Sequence, residues 1–293
     1  MKQHLKQTLA LLIIAATVGA FIYYFKQHPE AWRQLGNIPP LTLVILFLLY
    51  ICFTGSIALI LLATVALCNI RLPARDGVLL TMWSSIINFF GPLQSGPAFR
   101  AVYLKKAHNV SLKTYGVATL LYYGFYAVIS GLFLISGLVA WYVLVGLIVA
   151  GIVAAIALLR SRLSLARKIR ALPLQHTYKL ALATFLQLAL VAVIYTIELK
   201  SVNPGVSIHQ AIVYTGAANF ALFVSITPGA IGFREAFLVF SEKLHHISPT
   251  TIFAANLIDR ALYVSLLGGL FLVAISIHAQ ARLTRETTDS SVS

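Results

Sequence analysis

Three arginines stand apart from the other basic residues of this chain. Arg100, Arg234 and Arg260 lie within or beside apolar runs, close to residues able to do chemistry. FFGPLQSGPAFR (89–100) and SITPGAIGFREA (225–236) each carry a proline followed four residues later by a glycine, Pro92/Gly96 and Pro228/Gly232, and then an arginine. In hydrocarbon an unpaired backbone N–H or C=O costs several kcal/mol, so a Pro/Gly-broken helix persists only against protein, water or ligand. Gly229 and Gly232 permit close backbone approach. A half-helix starting after Pro228 points free N–H groups and a positive dipole end inward, which suits an anion. Arg234 adds a permanent cation whose planar fork matches phosphate, and Arg100 does the same beside Pro92 and Gly96. The chemistry that these types and spacings permit is capture of an anionic group.

Burying an arginine near a bilayer centre costs about 2.5–3.5 kcal/mol on insertion scales, so such residues face an interior path and need a partner. Glu235 follows Arg234, and Asp259 precedes Arg260. Adjacent residues on a helix point in different directions, so cross-pairing, Glu235 with Arg260 or Asp259 with Arg234, is the better geometry. Arg100 is left without an evident acid, which points to a ligand that brings the negative charge. Asn256, Asp259, Arg260 and Tyr263 fall on one helix face, and Thr119, Tyr122, Tyr123 and Tyr126 form a milder one. Each face suits a polar path for a headgroup or an ordinary interhelical hydrogen-bonding seam. Asn88 and Asn219 suit either role as well. Glu198, near Lys200 at the end of a span, reads as interfacial. His209, His245 and His246 show no metal-ligand spacing, and no nucleophile–base pair or phosphate-binding GxxxxGK occurs. No catalytic residue, metal or cofactor is expected.

The elements that would position these groups are membrane helices. Of 293 residues 59% are apolar and 10% charged, and repeated apolar runs reach span length. The expected fold class is all-α: a polytopic membrane protein with about six full crossings at 8–25, 41–65, 114–135, 138–159, 180–199 and 251–278. The start, with Val18-Gly19-Ala20 in a signal-like position, reads as an uncleaved span because the apolar run continues to Lys26. Residues 77–91 with 97–107, and 209–226 with 230–243, are too short or too polar to cross alone, and read as two re-entrant hairpins. With the N-terminus cytoplasmic, fifteen lysines and arginines fall on the cytoplasmic side and four on the other. That bias explains the net charge of +14 better than nucleic-acid binding does. Cys52 and Cys68 suggest neither disulfide nor metal site.

Residues 111–134 and 248–271 keep step at a 137-residue offset, as in Leu121/Ile258, Tyr126/Tyr263 and Gly131/Gly268. Three crossings between the two breaks would make the hairpins enter from opposite faces, giving an inverted repeat of the kind that places transporter substrate sites at the midplane. The expected organisation is one integral membrane domain over 1–283, with leading spans 8–65, repeats 77–159 and 180–278, and a polar cytoplasmic tail 284–293.

Pro228-Gly229-Ala230-Ile231-Gly232-Phe233-Arg234-Glu235 resembles the P-G-G-x-G-x-x-E signature of the lysylphosphatidylglycerol synthase transmembrane-region, or flippase-like, family. Pro92, Gly96 and Arg100 resemble its first motif. Ala230 stands where that family usually has glycine, and Pro97 where it often has an acid. The resemblance implies a stand-alone flippase-type protein of a prokaryotic cytoplasmic membrane, without aminoacyltransferase activity, acting on phospholipids or related amphiphiles. The expected function is movement of an anionic lipid between leaflets, its phosphate held by Arg100, Arg234 and half-helix ends, with Glu235, Asp259 and Arg260 setting the charge balance. The alternatives are a non-transporting partner of envelope-lipid synthesis enzymes, docking through basic residues 160–179, or a lipid-modifying transferase.

Overall fold

The computed structural model describes residues 38–91, 95–161, 173–224, 230 and 233–290, with isolated positions 19, 23, 26, 27 and 29 before them. The described residues fold entirely as helices and connecting turns: α1 (Pro40–Ala66), α2 (Ala74–Phe90), α3 (Ser95–His108), α4 (Leu112–Ile135), α5 (Trp141–Arg160), α6 (Leu174–Val202), α7 (Ile208–Val224), α8 (Phe233–Phe240), α9 (Glu242–His245) and α10 (Pro249–Ser290).

Four helices are long and apolar enough to cross a bilayer, at 40–66, 112–135, 174–202 and 249–277. They coincide with four of the six expected crossings. The expected crossing at 8–25 falls outside the described residues apart from Gly19 and Tyr23. That at 138–159 is occupied by α5, apolar over Trp141–Gly151. Prolines start several elements. Pro40 opens α1 from the extended Pro39, and Pro73 and Pro173 precede α2 and α6, where a fixed φ and a missing N–H cost a first turn nothing. α1 is apolar around its whole circumference. Leu46, Tyr50, Leu61 and Val65 face inward, while Leu41, Val44, Leu48 and Leu59 remain on the outer surface, as a lipid-facing span requires.

α1 packs along α6, and together with α7, α8 and α10 they close one core around Leu46, Ile194, Leu199, Tyr214, Leu238 and Ile258. A second cluster joins Ile60, Leu67, Ala118 and Leu180 of α1, α4 and α6. Small residues bring α7 onto α4: a Cβ on Gly216 would sit 2.4 Å from Leu134 N, and Ala217, Ala218 and Ala221 are fully buried. Such contacts suit helices that associate in lipid by close packing.

The two pairs of short helices are antiparallel hairpins. In the first, Ser95 Oγ donates to Ile87 O at 2.9 Å, Gly96 N to Asn88 Oδ1 at 3.2 Å and Arg100 Nε to Ser84 Oγ at 2.6 Å. A Cβ on Gly96 would come within 2.7 Å of Asn88 Cβ and of Ser84 O, so glycine is what lets the arms meet. In the second, α7 packs on α8 and α9, and Gln210 Nε2 donates to His246 O at 3.1 Å. The helix following each hairpin packs on the other hairpin: α4 on α7, and α10 on α2.

His245 closes the second hairpin. Its Nδ1 accepts from Ile247 N at 3.1 Å, so its Nε2 carries the proton and donates to Leu238 O at 3.0 Å. That is the neutral ring, and burial holds its pKa below the ordinary 6.5. A folded state that binds the proton less readily than the unfolded chain loses stability as pH falls below the unfolded value. Melting temperature is therefore expected to drop as pH falls below about 6.5, and His245→Gln to flatten that part of the profile, both read by thermal unfolding in detergent.

Candidate functional site

A cavity of about 250 Å³ lies between the two hairpins. The first hairpin contributes Asn88, Gly96 and Arg100 to its wall; the second contributes Asn219, Ala230 and Arg234. The two polar faces read at the 137-residue offset converge on it, Tyr122, Tyr123 and Tyr126 from α4 and Asp259, Arg260 and Tyr263 from α10. α1 and α6 complete the lining with Tyr50, Gln187 and Tyr195 among others.

Arg234 is the best-enclosed arginine or lysine among the described residues, 3% exposed, in the first turn of α8. Its Nη1 donates to Asp259 Oδ2 at 2.6 Å, and its guanidinium lies over the Tyr195 ring, 4.9 Å from the centroid. Arg260 reaches back to Glu235 Oε1 at 3.4 Å. The charge pairs are thus the crossed ones, because residues 25 apart on two facing helices can meet where helical neighbours cannot. The pairs do not use up the arginines. Nε and Nη2 of Arg234 and Nε of Arg260 are buried without a hydrogen-bond partner among the described residues, as is Ser85 Oγ. Arg100, half-buried, holds only the neutral Ser84 hydroxyl, and no carboxylate pairs with it among the described residues. Donors buried this way carry a desolvation cost of about 1–3 kcal/mol each, more when charged, unless something accepts from them.

Of the residues singled out by sequence, Gly96, Arg100, Arg234, Asp259 and Arg260 meet at the cavity. Glu235 and Asn256 are buried beside it without lining it; Asn256 accepts from Tyr214 Oη at 3.3 Å. Pro92, Pro228, Gly229 and Gly232 lie outside the described residues. Asn88 and Asn219 play both roles considered for them. Each lines the cavity, Asn88 also tying Gly96 N and Asn219 bonding Tyr126 Oη at 2.9 Å and Ser130 Oγ at 3.2 Å.

The sequence placed Glu198 at the interface; it is 1% exposed, in the core. The four residues of helix after it hide it from the loop, and Tyr50 of α1 covers it, with the phenol oxygen 2.8 Å from Glu198 Oε1. The same Tyr50 hydroxyl bonds Asp259 Oδ1. The missed signal was periodic: Gln187, Tyr195 and Glu198 share one face of α6, at spacings that put polar groups on the inner stripe of a span.

The model for the lysylphosphatidylglycerol synthase TM region matches residues 7–270. The chain belongs to that family. No curated protein and no solved structure matches it significantly. As a member of this lipid-related family with four apolar spans, it is a membrane protein. Within its second motif the family's usual glycine is here Ala230, held at φ 57. A left-handed alanine costs about 1–2 kcal/mol, against about 0.5–1 kcal/mol for the greater unfolded freedom of glycine. Ala230→Gly is expected to stabilise the protein by about 0.5 kcal/mol, seen as a small rise in melting temperature.

Proposed function

We propose that this protein moves an anionic phospholipid or related amphiphile between leaflets, with the headgroup phosphate seated in the cavity between the hairpins. One observation carries the reading: Arg234, with buried unpartnered guanidinium donors, and Arg100, which pairs with no carboxylate among the described residues, line one cavity large enough for a headgroup. Planar guanidinium forks donate paired hydrogen bonds to phosphate oxygens. The acyl chains remain in lipid. The two short-armed hairpins act as re-entrant elements of an inverted repeat, and rocking of one repeat against the other passes the headgroup across. The packing of each following helix on the opposite hairpin supports that symmetry. The setting is a prokaryotic cytoplasmic membrane with both termini inside, a placement that rests on the charge bias of the loops. No catalytic role is assigned to the carboxylates, since Asp259 and Glu235 are both engaged by arginines.

Reconstitution in liposomes with labelled anionic, zwitterionic and cationic phospholipids tests the reading. Exchange of the anionic lipids, lost in Arg100→Ala and Arg234→Ala, is expected. Recovery of a chemically altered lipid would instead favour a transferase, and absence of any exchange across the panel would leave the translocation reading without support.

A further inference from the structure

Tyr50 has one hydroxyl proton and two buried carboxylates to serve, Glu198 Oε1 at 2.8 Å and Asp259 Oδ1. A phenol oxygen can donate once, and a second short contact with an ionised carboxylate would set two acceptors against each other. The row Glu198–Tyr50–Asp259 is satisfied only if one carboxyl brings its own proton. Asp259 is ion-paired with Arg234, whereas Glu198, 1% exposed, forms no ion pair among the described residues. Burying an ionised carboxylate without a cation is far costlier than burying the neutral acid. The ionisable groups facing Glu198 are Tyr50 from α1, Tyr214 from α7, Arg234 from α8, and Asp259 and Arg260 from α10, with Tyr195 on its own helix.

We infer that Glu198 is a proton-carrying site, that Tyr50 relays its proton to Asp259, and that this couples proton movement to anion capture by Arg234. In the resting row the Glu198 O–H donates to Tyr50 Oη, and the Tyr50 O–H donates to Asp259. When an anionic phosphate approaches Arg234, Tyr50 gives its proton to Asp259 and takes the one on Glu198. The products are Glu198 carboxylate, neutral Tyr50 and neutral Asp259; one proton has moved and total charge is unchanged. Asp259 then no longer neutralises Arg234, whose guanidinium turns to the phosphate. By linkage, whatever anion binding does to the proton, the proton does equally to anion binding. Loss of the Asp259 proton to the far side as the lipid leaves, and uptake of a proton by the Glu198 carboxylate from the near side, close the cycle. A singly charged lipid then travels with one proton, electroneutrally, so transport would answer to a pH gradient and not to membrane potential. This coupling rests on the translocation reading, but the protonation of Glu198 does not.

Two measurements separate the two. Infrared spectra of the purified wild type at neutral pH are expected to show the C=O stretch of a protonated carboxyl that Glu198→Gln removes. Adding dioctanoyl phosphatidylglycerol should shift that band as the proton passes to Asp259, and Tyr50→Phe should prevent the shift while keeping the band. A wild-type spectrum without a band removable by Glu198→Gln overturns the inference, whatever the lipid assays give. In proteoliposomes, a gradient of one pH unit should change the leaflet ratio of labelled phosphatidylglycerol by up to about tenfold in wild type. Glu198→Gln and Tyr50→Phe should abolish that response. A wild type that exchanges lipid indifferently to the gradient, or a Glu198→Gln variant that still follows it, refutes the coupling. If no lipid moves while the band is present and shifts with dioctanoyl phosphatidylglycerol, the proton site stands and the translocation reading falls.

Discussion

Arg100→Ala is expected to slow leaflet exchange of anionic phospholipid by about 300-fold while leaving the fold intact. The separation follows from its surroundings. Arg100 is half-buried, donates to the neutral Ser84 hydroxyl at 2.6 Å, and pairs with no carboxylate among the described residues. Losing that one hydrogen bond costs about 1 kcal/mol of stability, a small shift in melting temperature. Losing a charged contact to a desolvated phosphate costs about 2–5 kcal/mol, and the middle of that range is roughly 300-fold in binding. Arg100→Lys keeps the charge and loses the fork, so it should recover only part of the rate. The checks are initial exchange rates in proteoliposomes, set beside thermal unfolding of the same preparations. Unimpaired exchange in Arg100→Ala would remove the phosphate from this end of the cavity.

Asp259→Ala is expected to destabilise the protein by about 3–5 kcal/mol, the penalty for leaving a buried charge without its partner. Arg234 is 3% exposed and its Nε and Nη2 already lack partners, so loss of the 2.6 Å bond from Nη1 would strip the guanidinium of its only anion in the described ion pairs. Replacing both members with apolar residues of similar size, Arg234→Met with Asp259→Leu, should restore most of that stability, since desolvation offsets much of what a buried pair contributes. The double variant should still fail to exchange lipid. Thermal unfolding distinguishes these outcomes directly. If Asp259→Ala melts like wild type, the pair is not structural; if the double variant exchanges normally, Arg234 does not hold the headgroup.

The helices, the breaks and the charged residues were legible because each depends on local properties. Apolar runs of span length marked α1, α4, α6 and α10, and Pro and Gly marked the ends of the short arms. The crossed pairing of Arg234 with Asp259 and Arg260 with Glu235 could be anticipated from helical geometry alone. Glu198 could not be placed correctly, since a glutamate four residues from the end of a span is interfacial or buried according to what covers it. What covers it is Tyr50, 148 residues away in sequence, and no pattern local to α6 names that tyrosine.

Sequence by itself therefore determined a membrane protein with two interrupted helical segments, three arginines set among apolar runs, and a resemblance to the family whose model matches it. These are matters of composition and short-range periodicity, which a linear chain carries openly. Only the tertiary structure decided that both hairpins and both polar faces open onto one cavity, and that Glu198, Tyr50 and Asp259 form a continuous row beside it. Helix packing sets those meetings, through contacts such as Gly96 on Asn88 and Gly216 on Leu134, between residues whose distance along the chain says nothing about their distance in space.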